Sequence, residues 1–219
     1  MATPRITYAA TQYIDNVDFI PDYVDGKFEI PIIRPEPYIE IDTWIPFNQA
    51  GYGYKREEKG VHFFVHDYFF NSLWTKREKY RHMLPQYKAV MTPDYSLYTN
   101  WPVMVQIWNH YRKHLIGAWM QSIGCRVYPS VSWSDDSSFD WCFDGEPRGG
   151  TVCISSVGTQ QNKETRKLFM AGYEMMMDVL YPETILFYGK VPKECEGNII
   201  PIESFQDQLK KKVKKNDQA

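Results

Sequence analysis

TVCISSVGTQQNKETRKLFMAGYEMMMDVLYPETILFYGK, residues 151–190, is the stretch on which the fold assignment turns. Gly149-Gly150 turns into Thr151–Ser156, an apolar, β-prone run that ends in hydroxyls. Asn162 suits a helix N-cap, because its side-chain oxygen can accept from an amide left unpaired at a helix start. Leu168, Gly172, Met175, Met176 and Val179 then form an apolar stripe at helical spacing as far as about Leu180. Pro182 cannot extend that helix. Thr184–Tyr188 is a second strand, followed by Gly189-Lys190. Strand, helix and strand in such quick succession form the βαβ unit of a parallel sheet.

The same pattern extends upstream. Val61–Val65 runs into His66-Asp67, Lys88–Met91 into Thr92-Pro93-Asp94-Tyr95-Ser96, and Arg126–Trp133 into Ser134-Asp135-Asp136. Between them lie a helix-like segment from Tyr68 to about Leu84 and a short one from Ser137 to Phe143. A longer helix starts at Trp101-Pro102 behind Asn100, carries Met104, Ile107, Trp108, Tyr111, Leu115 and Trp119 on one stripe, and closes at Gly124. Asn198–Ile202 supplies a sixth strand before a polar last helix. The expected class is α/β, with five to six β-α units in a mostly parallel sheet, open or partly closed. A complete eight-unit barrel would need more units. Pro21, Pro31, Pro35, Pro37 and Pro46 break every run before residue 58. Residues 1–58 therefore read as an extended Pro/Tyr-rich arm, 59–204 as the α/β domain, and 205–219 as a basic tail carrying Lys210, Lys211, Lys212, Lys214 and Lys215.

A net charge of −2 over 219 residues excludes a global basic field of the kind that advertises nucleic-acid binding. Cys125, Cys142, Cys153 and Cys195 form no C-x-x-C pair, so they read as buried reduced thiols rather than metal knuckles. The first residues lack an apolar core of signal-peptide length, and no stretch is long and apolar enough to span a bilayer. A soluble cytoplasmic protein without a membrane partner is expected.

The motifs TPDYSLY (92–98), P-x-x-x-Q-I-W-N-x-Y-R (102–112), YPSVSW (128–133), FDWCFDG (139–145), ISSVGTQQNKE (154–164) and ILFYGK (185–190) add a further signal. In this order the series resembles a protein family of unknown function carried by bacteriophages, plasmids and other mobile elements of bacteria. The resemblance covers roughly residues 60–195. It implies a phage or mobile-element origin, hence a host bacterial cytoplasm, and a compact α/β domain; it implies no activity. Glu146 departs from the apolar residue that the resemblance leads one to expect after FDG.

Parallel sheets bind ligands outside the carboxyl ends of their strands. Asp94, Asp135 and Asp144, with Asp67 and Asp136 beside them, are the candidate catalytic carboxylates. If they converge they can hold Mg²⁺ or Mn²⁺ and activate water, or act as an acid–base pair. Helix capping is the competing reading of Asp94, Asp135 and Asp136. Asn109 and Arg112 can orient an anion or bond strand-end loops, and Gln106, Asn109 and Lys113 share a helix side. Ser155 and Ser156 ahead of a helix start, and Tyr188 and Lys190 at the next strand end, are candidate phosphate ligands. Trp133, near Phe139, Trp141 and Phe143, can stack on a base or cap the core. His110 and His114, spaced i and i+4, read as a solvent-facing pair with no adjacent carboxylate to complete a metal motif. Two functions are in competition: binding or acting on a nucleotide or nucleic acid at the strand ends, and a non-enzymatic host-takeover or inhibitor role in which the arm binds a host or phage protein.

Overall fold

The computed structural model describes residues 16–204 apart from Gly53. The basic tail and the polar last helix lie outside the described residues. Strands β1 (Val24–Asp25) and β2 (Ile30–Pro31) form a small antiparallel hairpin. Strands β3 (Thr43–Pro46), β4 (Lys59–His62), β5 (Ala89–Met91) and β6 (Val127–Tyr128) form a parallel sheet in chain order. Strands β7 (Thr151–Ser155), β8 (Thr184–Tyr188) and β9 (Ile199–Ile202) form a second parallel sheet. A bridge between Ser130 and Cys153 joins the two. The Val131 amide donates to the Cys153 carbonyl and the Cys153 amide to the Pro129 carbonyl, each at 2.8 Å. The result is a continuous run of seven parallel strands in chain order.

This run is curled. The Tyr188 ring on β8 lies tilted 4.8 Å from the ring of His62 on β4 and stacks 4.9 Å from Phe64 just after it. Those strands are four places apart, and a flat sheet would separate them by about 19 Å at ordinary strand spacing. Only a sheet wrapped toward a barrel brings these rings together. No pairing joins β9 back to β3 among the described residues, so the wrap is partial. Cys153, Leu186, Tyr188 and Ile202 turn inward and share a core with Ala89, Met91 and Tyr128. On the outer face, Val152, Ile154, Ile185 and Phe187 pack beneath helix α4 (Lys163–Leu180), against its Phe169, Tyr173, Met176 and Leu180. The Asn162 side chain caps α4 through the Thr165 amide at 2.8 Å.

Two local expectations change. The segment 68–84 is not one helix but a chain of short turns: α2 (Asn71–Thr75), after α1 (Phe47–Ala50) earlier in the chain, with 3₁₀ turns at Asp67–Phe69, Arg77–Tyr80 and Leu84–Gln86. Its aromatic residues fill gaps individually: Phe70 and Leu73 are fully buried while Tyr68 is exposed. The third strand is formally only Val127–Tyr128, because Pro129 has no amide to continue the ladder. In addition, β3 lies inside the stretch read as an arm. Upstream of it, the chain is fastened along the domain. The Asn16 amide donates to the Trp74 carbonyl (2.9 Å), Arg77 donates to Asn16 and pairs with Asp18 (2.5 Å), and Gln121 and the Arg34 backbone exchange two hydrogen bonds (2.9 and 3.0 Å).

Gly172 sits where α4 crosses the indole of Trp133, and a methyl group there would overlap that ring. Alanine favours a helix by about 1 kcal/mol, but overpacking costs about 1–3 kcal/mol. Gly172→Ala should therefore lower the urea midpoint; an unchanged or raised midpoint would contradict this packing.

Candidate functional site

The parallel run places Thr92–Ser96, Pro129–Ser134, Ser155-Ser156 and Gly189-Lys190 at one edge, the carboxyl ends of the strands. Helix α3 (Val103–Ser122) lies against this edge in an unusual orientation. Its apolar Met104 and Trp108 are 69% and 41% exposed, whereas Gln106, Asn109, His110, Lys113 and His114 are buried. The β1–β2 hairpin and the loop 143–146 cover the helix side that would otherwise face water. The His114 Nδ1 and the Pro31 carbonyl are 2.9 Å apart, as are the His110 Nε2 and the Asp144 carbonyl. The expectation of a solvent-facing histidine pair is therefore corrected.

Beneath the rim sits a sealed polar node. Lys113 Nζ lies 2.5 Å from Glu146 Oε1, with side-chain exposures of 2% and 0%. The ammonium also donates to the Ser130 carbonyl at 3.0 Å, and His114 Nε2 faces the same Glu146 oxygen at 3.2 Å. Burial pushes the Glu146 carboxyl up, but Lys113 and His114 outweigh it and hold the group below its ordinary value. Burial depresses both histidines below theirs, with Lys113 adding to the effect. Glu146 was visible in the sequence only as a departure from an expected apolar residue. Its partners lie 32 and 33 positions away, so no local spacing could reveal the cluster.

Asp94 follows β5 directly. Burial raises its carboxyl to about 7; Lys113 opposes the shift and Asp67 adds to it. No hydrogen bond to this carboxylate occurs among the described residues. Its neighbours are fixed instead: Asp67 accepts from the Ser96 amide (3.1 Å) and hydroxyl (3.0 Å). The Asn109 amide donates to the Ser96 carbonyl (2.7 Å), and Arg112 donates to Asn109 Oδ1 (2.5 Å) while lying 3.9 Å over the Tyr95 ring. Asn109 and Arg112 thus bond the strand-end loop, one of the two roles expected of them.

Of the other candidate carboxylates, Asp67 lies near enough for its charge to act on Asp94, whereas Asp135 and Asp144 are engaged elsewhere. Asp135 caps the 3₁₀ turn Asp136–Asp140 through the Ser137 amide (3.1 Å) and hydroxyl (2.6 Å). Asp144 lies by the hairpin, where burial and then Asp25 raise its carboxyl and Lys27 lowers it. Among the described residues, Asp94, Asp135 and Asp144 do not form a group that could hold a metal ion. Trp133 donates its indole N–H to the Leu168 carbonyl (3.2 Å) and packs on Phe169, so it lies beneath α4 rather than offering a stacking face. Tyr188 is buried inside the curl of the sheet, against His62 and Phe64. Ser156 donates to the Lys190 carbonyl (2.7 Å), tying two strand ends together, and Ser155 accepts from the Val157 amide (3.2 Å). The Lys190 side chain is exposed.

Residues 23–206 match a family model described as a domain of unknown function, DUF4417. The chain belongs to that family. It is 36% identical over 178 residues to the "Gene 1 protein" of Mycobacterium phage L5, covering 80% of this chain and 77% of that protein. It is also 36% identical over 186 residues to the "Gene 1 protein" of Mycobacterium phage D29, covering 80% of this chain and 65% of that protein. No solved structure matches. The resemblance to a phage-carried family of unknown function is borne out, as is the α/β class with parallel strands. Among the described residues, no helix is long and apolar enough to cross a membrane.

Removing one partner of the sealed pair leaves an uncompensated charge. Glu146→Leu should cost about 3–5 kcal/mol of stability, and Lys113→Met with Glu146→Leu should recover most of it. Denaturant unfolding of the single and double variants measures this, and additive losses would contradict direct pairing. The pH dependence has a definite sign. The histidines, depressed below 6.5, remove stability as pH falls through that value, because the unfolded chain takes up their protons first. Glu146, held below 4.5, removes more as pH falls further. Melting temperatures from pH 8 to pH 3 should decline in that order, and Glu146→Gln should flatten the lower limb.

Proposed function

We propose that this DUF4417 protein acts on a nucleotide or nucleic acid in the host cytoplasm, at the carboxyl ends of its strands, with Asp94 as the acid–base group. The observation that carries the reading is Asp94 itself: a half-buried carboxyl just past the end of a central parallel strand, lifted to about 7 by the protein around it, with no hydrogen bond to it among the described residues. A general acid or base works best when it titrates near the working pH, and strained titrations of this kind concentrate at functional sites. Lys190 and the Ser155 hydroxyl, at the same edge, offer a charge and a polar group suited to phosphate.

The test is direct. The purified chain is screened against nucleoside mono- and triphosphates and short single-stranded oligonucleotides by calorimetry, and turnover of any that bind is followed by chromatography. Asp94→Asn should lower turnover by about 10²–10⁴-fold and remove a limb near pH 7 from the rate profile, while ligand still binds. Failure of every probe to bind the natural chain, or full turnover by Asp94→Asn, would overturn the reading.

One observation favours a second reading, docking of a host or phage protein through the arm. The arm residues Val17 and Phe28, together with Met104, Ile107, Trp108 and Tyr111 of α3, line an open apolar groove of about 440 Å³. Under that reading, Met104→Glu with Trp108→Glu should abolish capture of a cytoplasmic partner without affecting folding, and unchanged capture would dismiss it.

A further inference from the structure

We propose that His110, His114 and Glu146 bind one divalent transition-metal ion of the zinc class at the buried centre of the molecule, at a site that does not include Asp94. One ligand atom from each of the three residues lies within 4.8 Å of the others, and all three side chains are buried. The hydrogen bonds assign the lone pairs. A backbone carbonyl can only accept, so His110 donates through Nε2 to the Asp144 carbonyl and His114 through Nδ1 to the Pro31 carbonyl. This is how metal-binding imidazoles are held: one nitrogen is anchored and the other is left free to coordinate.

The remaining atoms have no other employment. His110 Nδ1 and Glu146 Oε2 are buried without any hydrogen-bonding partner, and such atoms are costly in an interior. His114 Nε2, bearing a lone pair in the tautomer its anchor fixes, faces Glu146 Oε1 at 3.2 Å. A proton shared between His114 and Glu146 would satisfy that one contact. It would leave His110 Nδ1 and Glu146 Oε2 as they are, whereas a metal ion satisfies all three residues at once. Lys113 engages Oε1 and leaves Oε2 free as the ligand oxygen. Neutral imidazole is the form that coordinates. Two imidazoles and one carboxylate suit Zn²⁺, Co²⁺ or Fe²⁺ rather than the hard ions Mg²⁺ and Ca²⁺. Three protein donors leave one position for water, and the enclosure makes the ion a clamp between α3 and the loop that follows Trp141.

The full chain, stripped with a chelator and dialysed, is titrated with Co²⁺ and with Zn²⁺. The natural chain should take one equivalent, give visible Co²⁺ ligand-field bands that Zn²⁺ abolishes, and show imidazole scattering in the zinc X-ray absorption spectrum. Binding should weaken as pH falls and the imidazoles protonate. Zn²⁺ should raise the melting temperature of the natural chain and leave that of His110→Gln unmoved. His110→Gln and Glu146→Gln should each lose stoichiometric binding. Asp94→Asn should keep it, so failure at the rim and failure here are distinguishable. The inference is overturned if the natural chain binds neither ion, if the absorption spectrum lacks imidazole, or if His110→Gln binds as well as the natural chain. Should the variants fail to fold, the absorption spectrum of the natural chain decides alone.

Discussion

A lysine and a glutamate, both shut away from water, meet at 2.5 Å where helix α3 crosses the sheet's edge. Charges desolvated in this way are tolerable only when paired and hydrogen-bonded, and Lys113 meets that condition through Glu146 and the Ser130 carbonyl. Much of the local architecture follows. The helix must turn its polar side inward. The loop 143–146 must fold over to deliver Glu146. The β1–β2 hairpin must cover the rest, contributing the Pro31 carbonyl to His114. The cost appears on the outside, where Met104 and Trp108 are left in solvent and form part of an apolar groove with the arm.

The same node governs the chemistry at the rim. Asp94 stands at the end of β5 with Lys113 as its favourable charge and Asp67 as its unfavourable one. Because Lys113 is already engaged by Glu146, it does not fully offset the burial of Asp94, and the carboxyl remains high. Arg112 is likewise occupied, lying over Tyr95 and bonding Asn109. The strand-end loop is therefore flanked by cations that leave its carboxyl, Asp94, incompletely compensated.

What the sequence disclosed followed from local signals. The Asn162 cap, the Pro182 stop and the alternation around Thr151–Ser156 and Thr184–Tyr188 each act within a few residues, and the parallel class could be read from them. The orientation of α3 could not. Its stripe of Met104, Ile107, Trp108, Tyr111, Leu115 and Trp119 looks like a core face, and only the distant hairpin and Glu146 reverse the role of its first half. Spacing put Gln106, Asn109 and Lys113 on one side but could not say that this side was buried. Strand β3 was hidden for a related reason: Pro46 ends a short run in a proline-rich stretch, and only pairing with β4 makes Thr43–Pro46 a strand. The curl of the sheet, seen in Tyr188 against His62, arises from contacts more than a hundred residues apart.

A sealed charge pair beneath the rim leaves Asp94 poised near neutrality. Carbon-13 NMR of the side-chain carboxyl of Asp94, assigned by comparison with Asp94→Asn and titrated across pH, measures this directly. A midpoint near 7 is the expected result; a midpoint close to the ordinary aspartate value of 3.8 would contradict the account.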